Sequence, residues 1–129
     1  MRTVWRTDAE YEATRRRMVW NDRIPERFPD VIVSVTSDAD VIEAAKLARS
    51  RGLPIAVRAG GRSWIATSLR DGGMLIDLSR LNGVTVEAAA RTDAAQPAIK
   101  NTELVAALAQ HDLAFPPDIA LLSQLAATF

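Results

Sequence analysis

The stretch from Val31 to Trp64 constrains the fold more than any other part of the chain. Val31-Ile32-Val33-Ser34-Val35 is a β-branched run suited to a pleated, buried surface, and it reads as a strand. Thr36-Ser37-Asp38 then offer side-chain oxygens that can cap a helix. Over Ala39 to Arg51, Val41, Ile42, Ala45, Leu47 and Ala48 recur near helical spacing, and Gly52 stands where a helix-ending glycine belongs. Pro54 restarts the chain extended, and Ile55-Ala56-Val57 is a second short strand. Strand, helix and strand with connections this short form a βαβ unit, with parallel strands and a right-handed crossover.

The remaining elements are read around this unit. Asp8 can cap a helix running to about Trp20, with Glu10 and Glu12 in the first turn, where the helix dipole favours acids. Arg15, Arg16 and Arg17 read as a solvated helix face, Tyr11 and Trp20 as core-facing, and Asn21 to Pro29 as a loop with two prolines. Downstream, Asp71-Gly72-Gly73 is a turn and Met74-Leu75-Ile76-Asp77-Leu78 a third strand. Asn82-Gly83 signals a tight turn into Val84-Thr85-Val86. Alanine-rich Ala88 to Ala95 is open between loop and strand, with Arg91 to Gln96 as the strand candidate. Asn101 can cap a helix from Thr102 to about Gln110, with Leu104, Val105 and Leu108 on one face. Phe115-Pro116-Pro117 ends that regularity, and the apolar run from Asp118 to Phe129 reads as a short helix.

Composition closes off several classes of function. At 129 residues the chain suits one domain, which can bury roughly two-thirds of its unfolded surface. Sixteen basic and sixteen acidic side chains cancel, so no charge excess points to nucleic acid or an anionic membrane. There is no cysteine, which removes disulfides, thiolate catalysis and Cys-ligated metals. His111 is the single histidine, so a multi-His metal site cannot be built from this chain. No apolar run approaches membrane-spanning length, and the first residues carry acids rather than an apolar leader, so a cytoplasmic protein is expected.

The chemistry-bearing stretch is Ile55 to Trp64, IAVRAGGRSW. Two adjacent glycines directly follow a strand. Glycine admits positive φ and lets backbone approach a ligand with no Cβ in the way. Successive N–H groups in such a loop can form an anion cradle. Arg58 and Arg62 add forked donors suited to a diphosphate, and Ser63 adds a hydroxyl. The pattern is neither Gly-x-Gly-x-x-Gly nor a P-loop, and paired glycines are more often plain turn residues. On composition alone, both the tight turn and the phosphate cradle stay open.

The run from Asn21 to about Phe115 resembles the FAD-binding domain of the para-cresol methylhydroxylase type, shared by berberine-bridge-enzyme-like oxidoreductases, hydroxynicotine oxidase and bacterial FAD-linked oxidases. The landmarks in order are Trp20-Asn21, Pro29 and the first strand, and Thr36-Ser37-x-x-Asp40-Val41. They continue with Ala44-Ala45-x-x-Ala48-Arg49, Gly52-Leu53-Pro54-Ile55-Ala56-Val57-Arg58 and the glycine loop. Asp71-Gly72-Gly73, Ile76-Asp77-Leu78-Ser79-Arg80-Leu81-Asn82-Gly83-Val84, Gln96-Pro97 and Asp112-Leu113-Ala114 complete the series. Several separated motifs in the right order are more specific than any one of them.

The resemblance implies an α+β fold: a βαβ-containing small parallel layer with helices, plus the start of an antiparallel second subdomain. Residues 1–24 would form an N-terminal helix and loop, and 25–129 a partial FAD-binding domain. FAD would lie between the subdomains, with Arg58, Ala59, Gly60, Gly61, Arg62, Ser63 and Trp64 around its diphosphate. Many members carry a histidine at the position of Arg62, and that histidine links covalently to the flavin. Arginine is no comparable nucleophile, so the resemblance implies non-covalent FAD. Relatives also continue beyond the Pro116 position with a glycine-rich segment along the flavin, whereas Asp118-Ile119-Ala120-Leu121-Leu122-Ser123-Gln124 has no glycine, histidine or cysteine.

No residue is named as catalytic. His111 reads as a cation near a helix C-terminus, Asp38 and Asp40 as caps, and Asp77 as a strand-end turn residue. Trp64 divides evenly between flavin contact and loop packing. The expectation is the flavin-binding portion of an FAD-dependent oxidoreductase, with FAD as partner, a small-molecule substrate only in a longer form, and self-association or a C-terminal helix covering apolar surface. A non-enzymatic remnant or protein-interaction module without flavin is the competing class.

Overall fold

The computed structural model describes residues 1–115. In chain order the elements are β1 (Arg2–Trp5), α1 (Tyr11–Arg17), β2 (Val31–Ser34), α2 (Asp38–Arg51), β3 (Ile55–Arg58), β4 (Met74–Asp77), β5 (Val84–Glu87), β6 (Thr92–Ala95) and α3 (Asn101–Ala109). The short helix expected over 118–129 lies outside the described residues.

Four strands form one sheet in the order β1-β2-β4-β3. β2 and β3 each pair parallel with β4, which lies between them, and β1 pairs antiparallel with β2. The expected parallel βαβ unit is therefore present, with β4 inserted at its centre. All four β4 residues are buried, as befits a strand covered on both faces. On one face Ile32 and Leu75 meet Val4, Tyr11, Met18, Ala66 and Leu69. On the other, Val31, Val33, Met74 and Ile76 meet Ala44 and Ala48 of α2. Ser37 caps α2 by accepting the Asp40 N–H at 3.2 Å, and left-handed Gly52 ends it.

The second subdomain is small. β5 and β6 pair antiparallel, and α3 lays Leu104 and Leu108 with Ile99 against Val84, Val86 and Ala95. The reversal between β5 and β6 runs through Ala88–Arg91, where Arg91 has φ +52°. Asn82-Gly83 serves a different purpose: Gly83 N–H donates to the Gln96 side chain and Gly83 O accepts from Gln96 N–H, both at 2.8 Å, closing the open end of the hairpin.

Four local expectations are corrected. β1 was not foreseen, because four residues with mixed polarity carry little periodicity. The helix expected from Asp8 to Trp20 is only Tyr11–Arg17, since the Asp8 carboxylate accepts the Trp5 N–H at 2.8 Å and closes the β1–α1 turn. Arg15 is 3% exposed rather than solvated. Its fork meets both Glu12 oxygens at 2.8 and 2.9 Å, donates to Pro25 O at 2.7 Å and lies 4.5 Å over the Phe28 ring. Arg15, chiefly through this hydrogen bonding, holds the Glu12 carboxyl down to about 2. Asn101 sits buried inside the first turn of α3, with Lys100 at the cap.

Candidate functional site: the glycine loop after β3

The site is built on strand register. Arg58 ends β3 and Asp77 ends β4, and the parallel pairing sets the two opposite each other. Arg58 Nη1 donates to Asp77 Oδ1 at 2.8 Å, with side chains 12% and 7% exposed. Arg58 Nε donates to Met18 O, also at 2.8 Å, just past α1. Asp77 accepts in addition from the Ser79 N–H at 3.2 Å and the Ser79 hydroxyl at 3.0 Å. The guanidinium expected to grip a diphosphate is thus turned beneath the loop, where Asp77 balances its charge.

The loop rests directly on that guanidinium. Gly61 has φ +64°, and a Cβ there would stand 2.5 Å from Arg58 Nε and Nη2. A side chain there would push the Arg58 guanidinium aside, and the left-handed φ independently favours glycine at this position. The N–H groups of Gly60, Gly61, Arg62 and Ser63 have no acceptor among the described residues. Consecutive free N–H groups beside a strand's carboxyl end are the donor set an anionic group needs.

The rim is aromatic and basic. Arg62 is exposed and lies 5.8 Å over the Trp20 ring. Trp20 and Trp64 meet edge to face at 4.7 Å, and Trp64 is 67% exposed. Trp20, expected to face the core, is instead exposed and forms the loop's wall. Ser63 Oγ accepts from the Thr67 N–H at 3.2 Å, so its oxygen stabilises the following turn. Asn21 Nδ2 donates to Trp64 O at 3.4 Å and Arg27 donates to Ile65 O, tying the loop to the segment after α1. Buried Ala66 and Leu69 anchor its far end in the core. Ala59 to Ser63 lie together between these anchors. Sequence reasoning missed Asp77 and the Met18 carbonyl as supports, because both contacts are set by tertiary placement rather than by sequence neighbours.

The chain matches the model of the FAD binding domain family over residues 29–127. It is 34% identical over 116 residues to FAD-linked oxidoreductase nodO of Hypoxylon pulicicidum, covering 88% of this chain and 26% of that protein. It is 29% identical over 86 residues to (R)-6-hydroxynicotine oxidase of Paenarthrobacter nicotinovorans, covering 67% of this chain and 18% of the relative. Among solved structures, the glucose dehydrogenase Phl p 4.0202 superposes with a TM-score of 0.81 at 22% identity, over 95% of this chain and 27% of that one. Physcomitrella patens BBE-like 1 superposes with a TM-score of 0.70 at 29% identity, over 84% and 23%. The chain spans about a quarter of the length of nodO and of these structures. With a family model matched across most of its length and the glycine loop in place at the end of β3, the chain belongs to the FAD-binding-domain family found in FAD-linked oxidoreductases.

Proposed function

We propose that this chain is the diphosphate-holding portion of an FAD-dependent oxidoreductase, and that Ala59, Gly60, Gly61, Arg62 and Ser63 hold the diphosphate without a covalent bond. The observation that carries this reading is the row of free loop N–H groups above Gly61, where a Cβ would strike Arg58. Arg62 adds a forked cation at the exposed side of the loop, and Trp64 and Trp20 offer an aromatic wall beside it. Arg58 serves from below, as the support that fixes the turn rather than as a donor to the ligand.

When bound, FAD supplies the redox chemistry, accepting a hydride from substrate and being reoxidised by oxygen. The chain's own residues position it. Catalysis also needs groups within reach of the reacting atoms and a pocket that excludes water. The described residues provide one wall of such a pocket, so the isolated 129-residue protein should bind FAD weakly and turn over no substrate. Self-association belongs to the same reading: β3 is an edge strand, with Ile55 42% and Val57 52% exposed on one side. The flavin-free interaction module is the alternative that the same experiment separates.

The test is equilibrium dialysis against FAD and acid precipitation of the equilibrated protein, followed by denaturing mass spectrometry and sedimentation. Saturable excess flavin on the protein side of the membrane that is released by acid supports the proposal. A flavin-sized mass increment surviving denaturation sinks the non-covalent assignment, and protein that carries no flavin at saturating FAD favours the interaction module.

A further inference from the structure

A cavity of mixed polar and apolar lining lies at the carboxyl ends of β2 and β4, on the α1 face of the sheet, with a volume of about 440 Å³. No residue from Ala59 to Trp64 lines it, so it is not the interior of the glycine loop; Arg58 and Asp77 stand between the two. Arg2, Arg17, Arg58 and Arg80 line it together with Asp77 and with Met1, whose ammonium pairs with Asp40 at 3.1 Å. Arg58 and Asp77 cancel one another through their 2.8 Å ion pair. Arg2 pairs with Glu10 at 2.9 Å, with both partners exposed, where such a pair is weak and exchangeable. Arg17 makes only a long 3.3 Å bond to Thr14 Oγ1. Arg80 has no hydrogen-bond or ion-pair partner among the described residues. The Ser34 hydroxyl also lines the wall and donates to no acceptor among those residues.

We infer that this cavity binds a compact phosphate-bearing small molecule, held by Arg17 and Arg80 with Ser34 as a hydroxyl donor. Arg17 and Arg80 are left without a counter-charge among the described residues, and their planar forks, which donate along several directions, match tetrahedral phosphate oxygens. The carboxyl end of parallel strands is where open α/β sheets take ligands, and the volume falls within the range of small-ligand sites. The site is chemically distinct from the loop: it works through side-chain cations, whereas the loop works through backbone N–H groups. Arg58 touches both, which places an anion here one side chain away from Gly61.

The experiment is a titration of the full chain with inorganic pyrophosphate, followed by 15N–1H NMR with the arginine Nε–Hε signals included. Because pyrophosphate also suits the glycine loop, the site of the response decides. The inference expects saturable shifts at the Arg17 and Arg80 side chains and at the Ser34 amide, and an affinity at least tenfold weaker in Arg17→Ala/Arg80→Ala. Both arginines are exposed, so that variant keeps the fold, checked by its dispersed spectrum. The same variant should bind FAD within twofold of the unsubstituted protein. The inference is overturned if pyrophosphate shifts are confined to 59–64, if the double variant keeps its pyrophosphate affinity, or if no saturable response occurs. FAD binding lost in that variant would also overturn it, by making the cavity part of the flavin site. Failure of FAD to bind the loop at all leaves the pyrophosphate readout intact, so the two readings fail separately.

Discussion

Removing the Asp77 carboxylate should cost far more than its modest size suggests. In Asp77→Ala the Arg58 guanidinium keeps one strong bond, to Met18 O, and loses its one counter-charge among the described residues at a site where it is 12% exposed. Breaking a fully buried pair from one side costs about 3–5 kcal/mol, and the slight solvent access of Arg58 places this case at about 3 kcal/mol. Ser79 loses both of its bonds to Asp77 in the same step. For a domain of this size that corresponds to a melting temperature lower by roughly 10 °C. Asp77→Asn keeps the shape and an acceptor at Oδ1 and should cost about 1–2 kcal/mol. Arg58→Met/Asp77→Leu should recover at least half of the Asp77→Ala loss, because it leaves no uncompensated charge. Urea unfolding followed by circular dichroism measures all three. The reasoning fails if Asp77→Ala lies within about 1 kcal/mol of the unsubstituted protein, or if the double variant is no more stable than Asp77→Ala.

Three further outcomes follow from other parts of the fold. Leu75→Ala empties a fully buried position on the central strand and should destabilise by about 3–4 kcal/mol in the same unfolding assay, with less than 1 kcal/mol contradicting the packing described. Gly73→Ala should cost more than the roughly 1–2 kcal/mol of left-handed strain alone, because φ is +71° and the new Cβ would sit 2.4 Å from Pro54 O; unchanged thermal stability would refute that geometry. The Glu12 carboxyl is held at about 2 in the folded chain against an ordinary 4.5, so its contribution is present above about pH 4.5 and is lost as pH falls toward 2. Glu12→Gln should therefore flatten the stability profile across that window, and an unaltered acid limb would show that the Arg15 contact contributes nothing.

The parts of the fold that were legible in the sequence are those where local chemistry and tertiary packing agree. β2, α2, β3 and β4 each combine propensity with a cap or turn residue, and each was placed within a residue or two. β1 and the shortened α1 were not legible because both depend on long-range partners: Trp5 stands opposite Val31, and α1 is held by the contact of Tyr11 Oη with Pro29 O at 2.6 Å. Burial of Arg15 likewise follows from carbonyls ten and twelve residues away, Pro25 O and Arg27 O, which no periodicity reveals. The apolar run of β3 carries no sign in the sequence that it forms an edge of the sheet, because strand order is a tertiary property. At the site, the glycine pair was visible as a motif. The support under it was not, because the contact between Arg58 and Asp77 is fixed by the parallel register of two strands and not by sequence neighbours.

The central claim is that the backbone of the glycine loop, seated on Arg58, holds FAD. Isothermal titration of FAD into the unsubstituted chain and into Gly61→Val, with helix content checked by circular dichroism, tests it most directly. The account predicts saturable binding by the first and at least tenfold weaker binding by the second at unchanged helix content, since the valine displaces the loop from its support. Equal affinity in the two proteins, or no saturable binding in the first, would contradict it.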